Sequence, residues 1–263
     1  MLQGTKLRHY RSLFLSDIHL GYHGCNADLL LAFLRGSRTQ NLYLVGDIVD
    51  LISLNNRPFW PQAHNDVIRA ILGKAKHETR VVYIPGNHDA QFRDYCGLTF
   101  GNVEIRRRCI HTSLQGRRYL VTHGDEFDGH VACSAWRSAV GAFAYRRILY
   151  FNARINRARS RFGYPYWSLA AFIKEKSGSA RRYIERYREA ATAAAARRGL
   201  DGIICGHIHR PEVTQVDGIE YLNDGDWVDN CSLLVEHTDG QMELLHASDL
   251  DKTRTRISVH RAA

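Results

Sequence analysis

Five short segments of this chain bring together side chains able to do chemistry. They are Asp17-Ile18-His19, Gly46-Asp47, Gly86-Asn87-His88-Asp89, His123-Gly124-Asp125 and Gly206-His207-Ile208-His209. Each offers carboxylate, amide or imidazole donors and none offers a thiolate. That mixture suits Mn²⁺, Fe or Zn²⁺ and argues against a soft-metal or iron–sulfur site. Glycines adjoin the donors at Gly46, Gly86, Gly124 and Gly206, which permits tight turns and close backbone approach. Any one segment alone reads as an ordinary turn. Five in one chain read as a single metal site, provided the fold collects them.

The surrounding pattern predicts that it does. Ser12 to Leu15 reads as a strand ending at Asp17, Asn41 to Val45 as one ending at Gly46-Asp47, and Val81 to Ile84 as one stopped by Pro85-Gly86. Arg118 to Thr122, Gly202 to Cys205, Ile219 to Leu222 and Ser232 to Glu236 complete the predicted strands. Helices are expected after Asn26, as N-cap, and from Gln62 to Lys76, where Val67, Ile68, Ile71 and Leu72 share one side. Short apolar runs alternating with helices imply a layered α/β domain. Open α/β sheets place ligands beyond the carboxyl ends of their strands, where all five segments fall.

The bulk composition narrows the function classes. The 263 residues, 44% hydrophobic and 24% charged, describe a globular chain able to bury a core. No apolar run approaches the roughly 18 residues of a membrane span, and the N-terminus lacks a signal-peptide pattern. The expected location is cytoplasmic. Six scattered cysteines without a C-x-x-C pair read as reduced, mostly buried thiols. A net charge of +9 points to an anionic partner; no nucleic-acid-reading motif accompanies it, so nucleic acid is not the expected one.

The five segments resemble the signature of the metallophosphoesterases of calcineurin type: D-x-H, G-D-x-x-D, G-N-H-D, H-G-D and G-H-x-H. The resemblance runs from about Ser12 to Glu236. It implies a two-layer β sandwich flanked by helices, holding two divalent metal ions, with Mn²⁺ expected and Fe or Zn²⁺ as alternatives. Carried over by position, it implies that Asp17, His19 and His209 bind the first metal. Asn87, His123 and His207 would bind the second, and Asp47 would bridge both. It also implies His88 as the catalytic group beside the phosphoryl, oriented by Asp50. Asp89 and Asp125 read as turn-forming or ligand-supporting groups.

The stretch between His123 and His207 differs in kind. From residue 126 to 199 it is helical in pattern and rich in Arg, Ala and aromatics, and it reads as a helical insertion. The core is then 1–125 with 200–247, followed by a basic tail at 248–263. Val140, Ala144, Ile148, Phe151 and Ile155 share one helical face. The segment serves either as a plain helical hairpin or as a lid whose apolar stripes cover acyl chains.

Trp60 to Asp66, His123 to Asp128 and Gly225 to Val228 are similar to the UDP-2,3-diacylglucosamine diphosphatases of lipid A synthesis. That resemblance implies hydrolysis of UDP-2,3-diacylglucosamine to UMP and 2,3-diacylglucosamine 1-phosphate by metal-activated water. The partner would be a nucleotide-linked lipid, met by peripheral association with the inner membrane. Asn65, Arg93, Arg154 and Arg157 are the candidate substrate-binding residues. Asp50 with His88 instead matches the general phosphatase pattern, which keeps as an alternative a general metallophosphoesterase acting on soluble phosphomonoesters, phosphodiesters or another nucleotide-linked lipid.

Overall fold

A computed structural model of the chain describes residues 7–77, 79–130 and 178–247. In chain order it contains β1 (Arg8–Leu15), α1 (Ala27–Arg35), β2 (Ser37–Val45), α2 (Leu51–Asn56), α3 (Gln62–Lys76) and β3 (Arg80–Ile84). There follow β4 (Thr99–Phe100), β5 (Val103–Ile105), β6 (Cys109–Thr112), β7 (Arg118–Val121) and α4 (Gly178–Ala196). The last elements are β8 (Gly202–Cys205), β9 (Glu212–Val216), β10 (Ile219–Asn223), β11 (Ser232–Glu236) and β12 (Met242–His246). Short 3-10 helices cover Ala90–Tyr95 and Asp125–His130.

These strands form two sheets. One has seven strands in the order β12-β11-β1-β2-β3-β5-β4, and the other five in the order β6-β7-β8-β10-β9. Parallel pairing runs through β1, β2, β3 and β5 in the first, and through β7, β8 and β10 in the second. The strand alternation decides what faces where. Phe14, Tyr43, Val45, Val82 and Ile84 meet Tyr119, Val121, Ile204 and Leu222 between the sheets. Their neighbours Leu13, Leu15, Leu42, Leu44, Val81 and Tyr83 turn outward onto Leu30, Leu34, Val67 and Ile71 of α1 and α3. On the second sheet, Leu120, Ile203 and Tyr221 are covered by Ile184, Tyr187, Ala191 and Ala195 of α4. The result is the expected α/β architecture, a β sandwich with helices on its outer faces.

The predicted elements recur, β1, β2, β3 and β10 with longer ends and β7 one residue shorter. Asn26 does stand at the N-cap of α1, yet its side chain does not cap the helix. It donates instead to the Trp227 and Val228 carbonyls, tying α1 to the loop after β10. The five described cysteines are free, but Cys25, Cys96 and Cys109 are only partly buried, where mostly buried thiols were expected. Most of segment 126–199, expected as a helical insertion, lies outside the described residues, as do Arg154, Arg157 and the 248–263 tail. Within its described part, α4 packs as the outer layer of the second sheet. No helix among the described residues is long and apolar enough to cross a membrane.

Candidate metal centre

The five motif segments follow β1, β2, β3, β7 and β8 directly, so their side chains converge at one end of the sandwich. Their backbones are unusual. Asp17, His19, Asp47, His207 and His209 all have positive φ, between 48° and 70°. Such left-handed conformations are uncommon outside glycine, though Asp, Asn and His adopt them most readily. They persist where surrounding bonds impose them, often at functional sites. Here the Asp17, His19 and Leu20 amides donate to the Gly46, Asp47 and Ile48 carbonyls at 2.9–3.0 Å. The first two loops are therefore joined rung by rung, and each turn fixes the next.

Two groups of donor atoms result. Asp17 Oδ1 lies 3.1 Å from His209 Nε2 and 3.7 Å from His19 Nε2. The two imidazole nitrogens are 3.3 Å apart. Beside them, Asp47 Oδ2 is 4.0 Å from His19 Nε2 and 3.4 Å from His123 Nε2, which in turn lies 3.2 Å from Asn87 Oδ1. Asp47 thus stands between the groups. His207 is adjacent through ring contact with His123, at 5.1 Å between centroids. Its Nε2, however, faces Asp128 Oδ2 at 2.9 Å.

The electrostatics of this cluster favour cations. Burial opposes ionisation of Asp17, but His209 and His19 hold it well below the usual carboxylate range. Asp47 is likewise held low against burial, chiefly by His123. Reciprocally, burial disfavours the charged form of His123, yet Asp47 and Asp17 raise it to about 10. A buried cluster that draws protons onto its imidazoles also draws metal ions, which displace those protons. Asp17 Oδ1 is buried without a hydrogen-bond partner, a costly state for a carboxylate oxygen unless a cation meets it. The residues present fit a divalent metal. Three groups, Asp17 with His19 and His209, Asp17 with Asp47 and His123, and His19 with Asp47 and His88, each bring ligand atoms within 4.8 Å of one another.

Ring orientation supports the same use. The His123 Nδ1–H donates to the Val45 carbonyl at 2.8 Å, which leaves Nε2 as the nitrogen with a free lone pair. Asp50 faces two imidazoles at once, with Oδ2 3.2 Å from His19 Nδ1 and Oδ1 3.0 Å from His88 Nδ1. Sequence reasoning paired Asp50 with His88 alone. Burial again opposes charge on Asp50, but the bonds from His19 and His88 keep it well below the usual range.

Other residues hold the loops. Fully buried Asp89 accepts from the Gly86, Ile48 and Asp47 amides at 2.6, 2.8 and 3.3 Å, and from the Tyr83 hydroxyl. Arg93 pairs with Asp125 at 2.7 Å, across the loops that follow β3 and β7. Asn65 is exposed on α3 and makes no hydrogen bond to the donor cluster. A sixth loop, after β10, had not been placed at the site. Asp224 accepts from Ser16 Oγ at 2.6 Å, Asn223 Nδ2 donates to the Gly206 carbonyl at 2.8 Å, and Asn230 Nδ2 donates to the His209 carbonyl at 3.1 Å. The Gly225-Asp226-Trp227-Val228 motif was its available signal.

Residues 10–211 match the family model described as calcineurin-like phosphoesterase. The chain belongs to that family. It is a metal-dependent phosphoesterase, and its substrate carries a phosphoryl group. Wild-type Vps29 from Entamoeba histolytica, complexed with Zn²⁺, is similar over 90% of this chain and 98% of its own, at 13% identity and a TM-score of 0.42. A novel archaeal phosphodiesterase is similar over 89% and 98%, at 11% identity and a TM-score of 0.41. The E. coli phosphoesterase Yfce is similar over 89% and 97%, at 16% identity and a TM-score of 0.37. With TM-scores this low, family membership rests on the sequence match. No curated protein sequence matches the chain significantly.

Proposed function

We propose that the cluster holds two divalent cations and hydrolyses a phosphoric anhydride. Asp17, His19 and His209 would hold the first cation, and Asn87, His123 and His207 the second, with Asp47 shared between them. Mn²⁺ is the proposed metal. The observation that carries this reading is the buried Asp17 Oδ1, which has no hydrogen-bond partner and lies 3.7 and 3.1 Å from the Nε2 atoms of His19 and His209. Two such cations would supply Lewis-acid polarisation of a phosphoryl oxygen and of the attacking water.

The rest of the work falls to the chain. Asp50 fixes His88 through Nδ1, so Nε2 is the nitrogen left for the leaving oxygen, to which it gives a proton when the ring is an imidazolium. Arg93, paired with Asp125 across the loops that follow β3 and β7, would bind a substrate phosphate. Asn65, Arg154 and Arg157 remain proposed contacts of the same kind.

The proposed substrate is UDP-2,3-diacylglucosamine, cleaved to UMP and 2,3-diacylglucosamine 1-phosphate. Segment 126–199 would act as a lid, and the protein would sit on the cytoplasmic face of the inner membrane. The three sequence motifs shared with that branch support this. So does the exposure of Ile52 and Trp60, which follow Asp50, and of Tyr95 and Leu98, which follow Asp89. One observation favours a soluble phosphoester instead: the Asp50–His88 hydrogen bond is the arrangement expected of a general phosphatase. Mn²⁺-loaded protein should be assayed on detergent-dispersed lipid nucleotide and on p-nitrophenyl phosphate esters. Preferential release of UMP supports the lipid reading, and turnover of the soluble esters alone overturns it.

A further inference from the structure

Among the described residues, three of the four candidate ligand imidazoles have one ring nitrogen held by an acceptor. For His19 the acceptor is Asp50, for His123 the Val45 carbonyl, and for His207 it is Asp128. The first two are bound through Nδ1, which leaves Nε2 for a metal. His207 is bound through Nε2, at 2.9 Å from Asp128 Oδ2. A carboxylate only accepts, so this contact puts the proton on Nε2 and leaves Nδ1 as the nitrogen with a lone pair. Asp128 is itself fixed from its other side, where Oδ1 accepts from the Tyr183 hydroxyl at 2.6 Å. The His207 amide donates to Asp17 Oδ2 at 2.8 Å, and its ring lies between those of His123 and Tyr187.

We propose that Asp128 is the positioning residue for His207, holding it by Nε2 so that Nδ1 is presented to the second cation, and that Tyr183 holds Asp128 in place. Asp128 stands in the 3-10 helix after β7, and Tyr183 on α4. Described residues before and after position 150, Asp128 and Tyr183, are thereby joined to one candidate ligand. This rests on the ligand set proposed above, and the test separates the two ideas.

Acceptors that orient ligating histidines are worth about 10–100-fold in metal affinity or activity. Calorimetric titration of the metal-free protein with Mn²⁺ should show Asp128→Ala weakening the second binding event by about that factor, with the first unchanged. Tyr183→Phe should act in the same direction by less than about tenfold. Nitrogen-15 NMR of the metal-free protein should show His207 as the Nε2–H tautomer in wild type and a mixture in Asp128→Ala, a change that a merely structural role would not produce. Wild-type tautomer and wild-type second-site affinity in Asp128→Ala would overturn the proposal. If Asp128→Ala fails to fold, Asp128→Leu, which is close in size and has no acceptor, decides by the same two readings. His207→Ala is the control. If it too leaves the second event intact, the ligand assignment has failed; if it abolishes that event while Asp128→Ala does not, only the role of Asp128 has failed.

Discussion

His88 is the side chain whose removal should separate chemistry from metal binding. Its Nδ1 is taken by Asp50 at 3.0 Å, its ring meets that of His19 edge-on, and its own side chain is partly open to solvent. A group so held can donate a proton without carrying a metal. His88→Ala is expected to lower kcat by about 10²–10⁴-fold while metal content, measured by elemental analysis, stays at the wild-type level. Unchanged kcat would remove His88 from the mechanism. At this scale the sequence was informative about type and uninformative about geometry. Asp17 and His19 lie two residues apart, so their pairing is visible locally. Asp50 reaching both His19 and His88, and Asp128 reaching His207, join positions 31, 38 and 79 residues apart. No local pattern reports such contacts, nor the positive φ at five of the candidate ligands.

Elements matter here through the turns at their ends. Each turn is shaped to bring one donor in, and glycine is needed where two turns touch. A Cβ on Gly86 would collide with the Asp47 carboxylate and the His123 ring. Gly86→Ala should therefore push Asp47 from between the two donor groups and weaken both metals by more than about tenfold. It should cost about 1–3 kcal/mol of metal-free stability, the usual range for overpacking. Gly73, inside α3, has nothing within 4 Å of a built Cβ. Gly73→Ala should stabilise by about 0.5–1 kcal/mol and leave Mn²⁺ titrations unchanged. Equal effects on metal affinity at the two positions would refute the steric account. The strands feeding these turns were legible because β1, β2, β3, β7, β8, β10 and β11 carry apolar runs. The strands β4, β5, β6, β9 and β12 were not expected. They have two to five residues, four of them lie at sheet edges, and none carries a run of buried residues to mark it.

Across the whole molecule, the two sheets are joined by a charged network as well as by apolar contact. Glu236 on β11 accepts from Arg11 and Ser12 on β1, from the Leu114 amide, and faces His111 Nε2 of β6, in the other sheet, at 2.9 Å. His111 Nδ1 meets the Tyr43 hydroxyl of β2 at 3.1 Å. Burial raises the Glu236 carboxyl, but these donors outweigh it and take it from 4.5 down to about 2. A carboxylate whose folded value is depressed stabilises the fold above its unfolded value and loses that contribution as pH falls through the folded one. The window is therefore from about 4.5 down to about 2, and the pH-dependent part is on the order of 3 kcal/mol. Glu236→Gln keeps the shape and removes the charge. In urea unfolding of chelator-treated protein, wild type should exceed Glu236→Gln in stability at neutral pH, and the gap should narrow steadily through that acid window. A gap that stays constant with pH would mean that Glu236 contributes through shape and packing, with the sheets held together by their apolar interior alone.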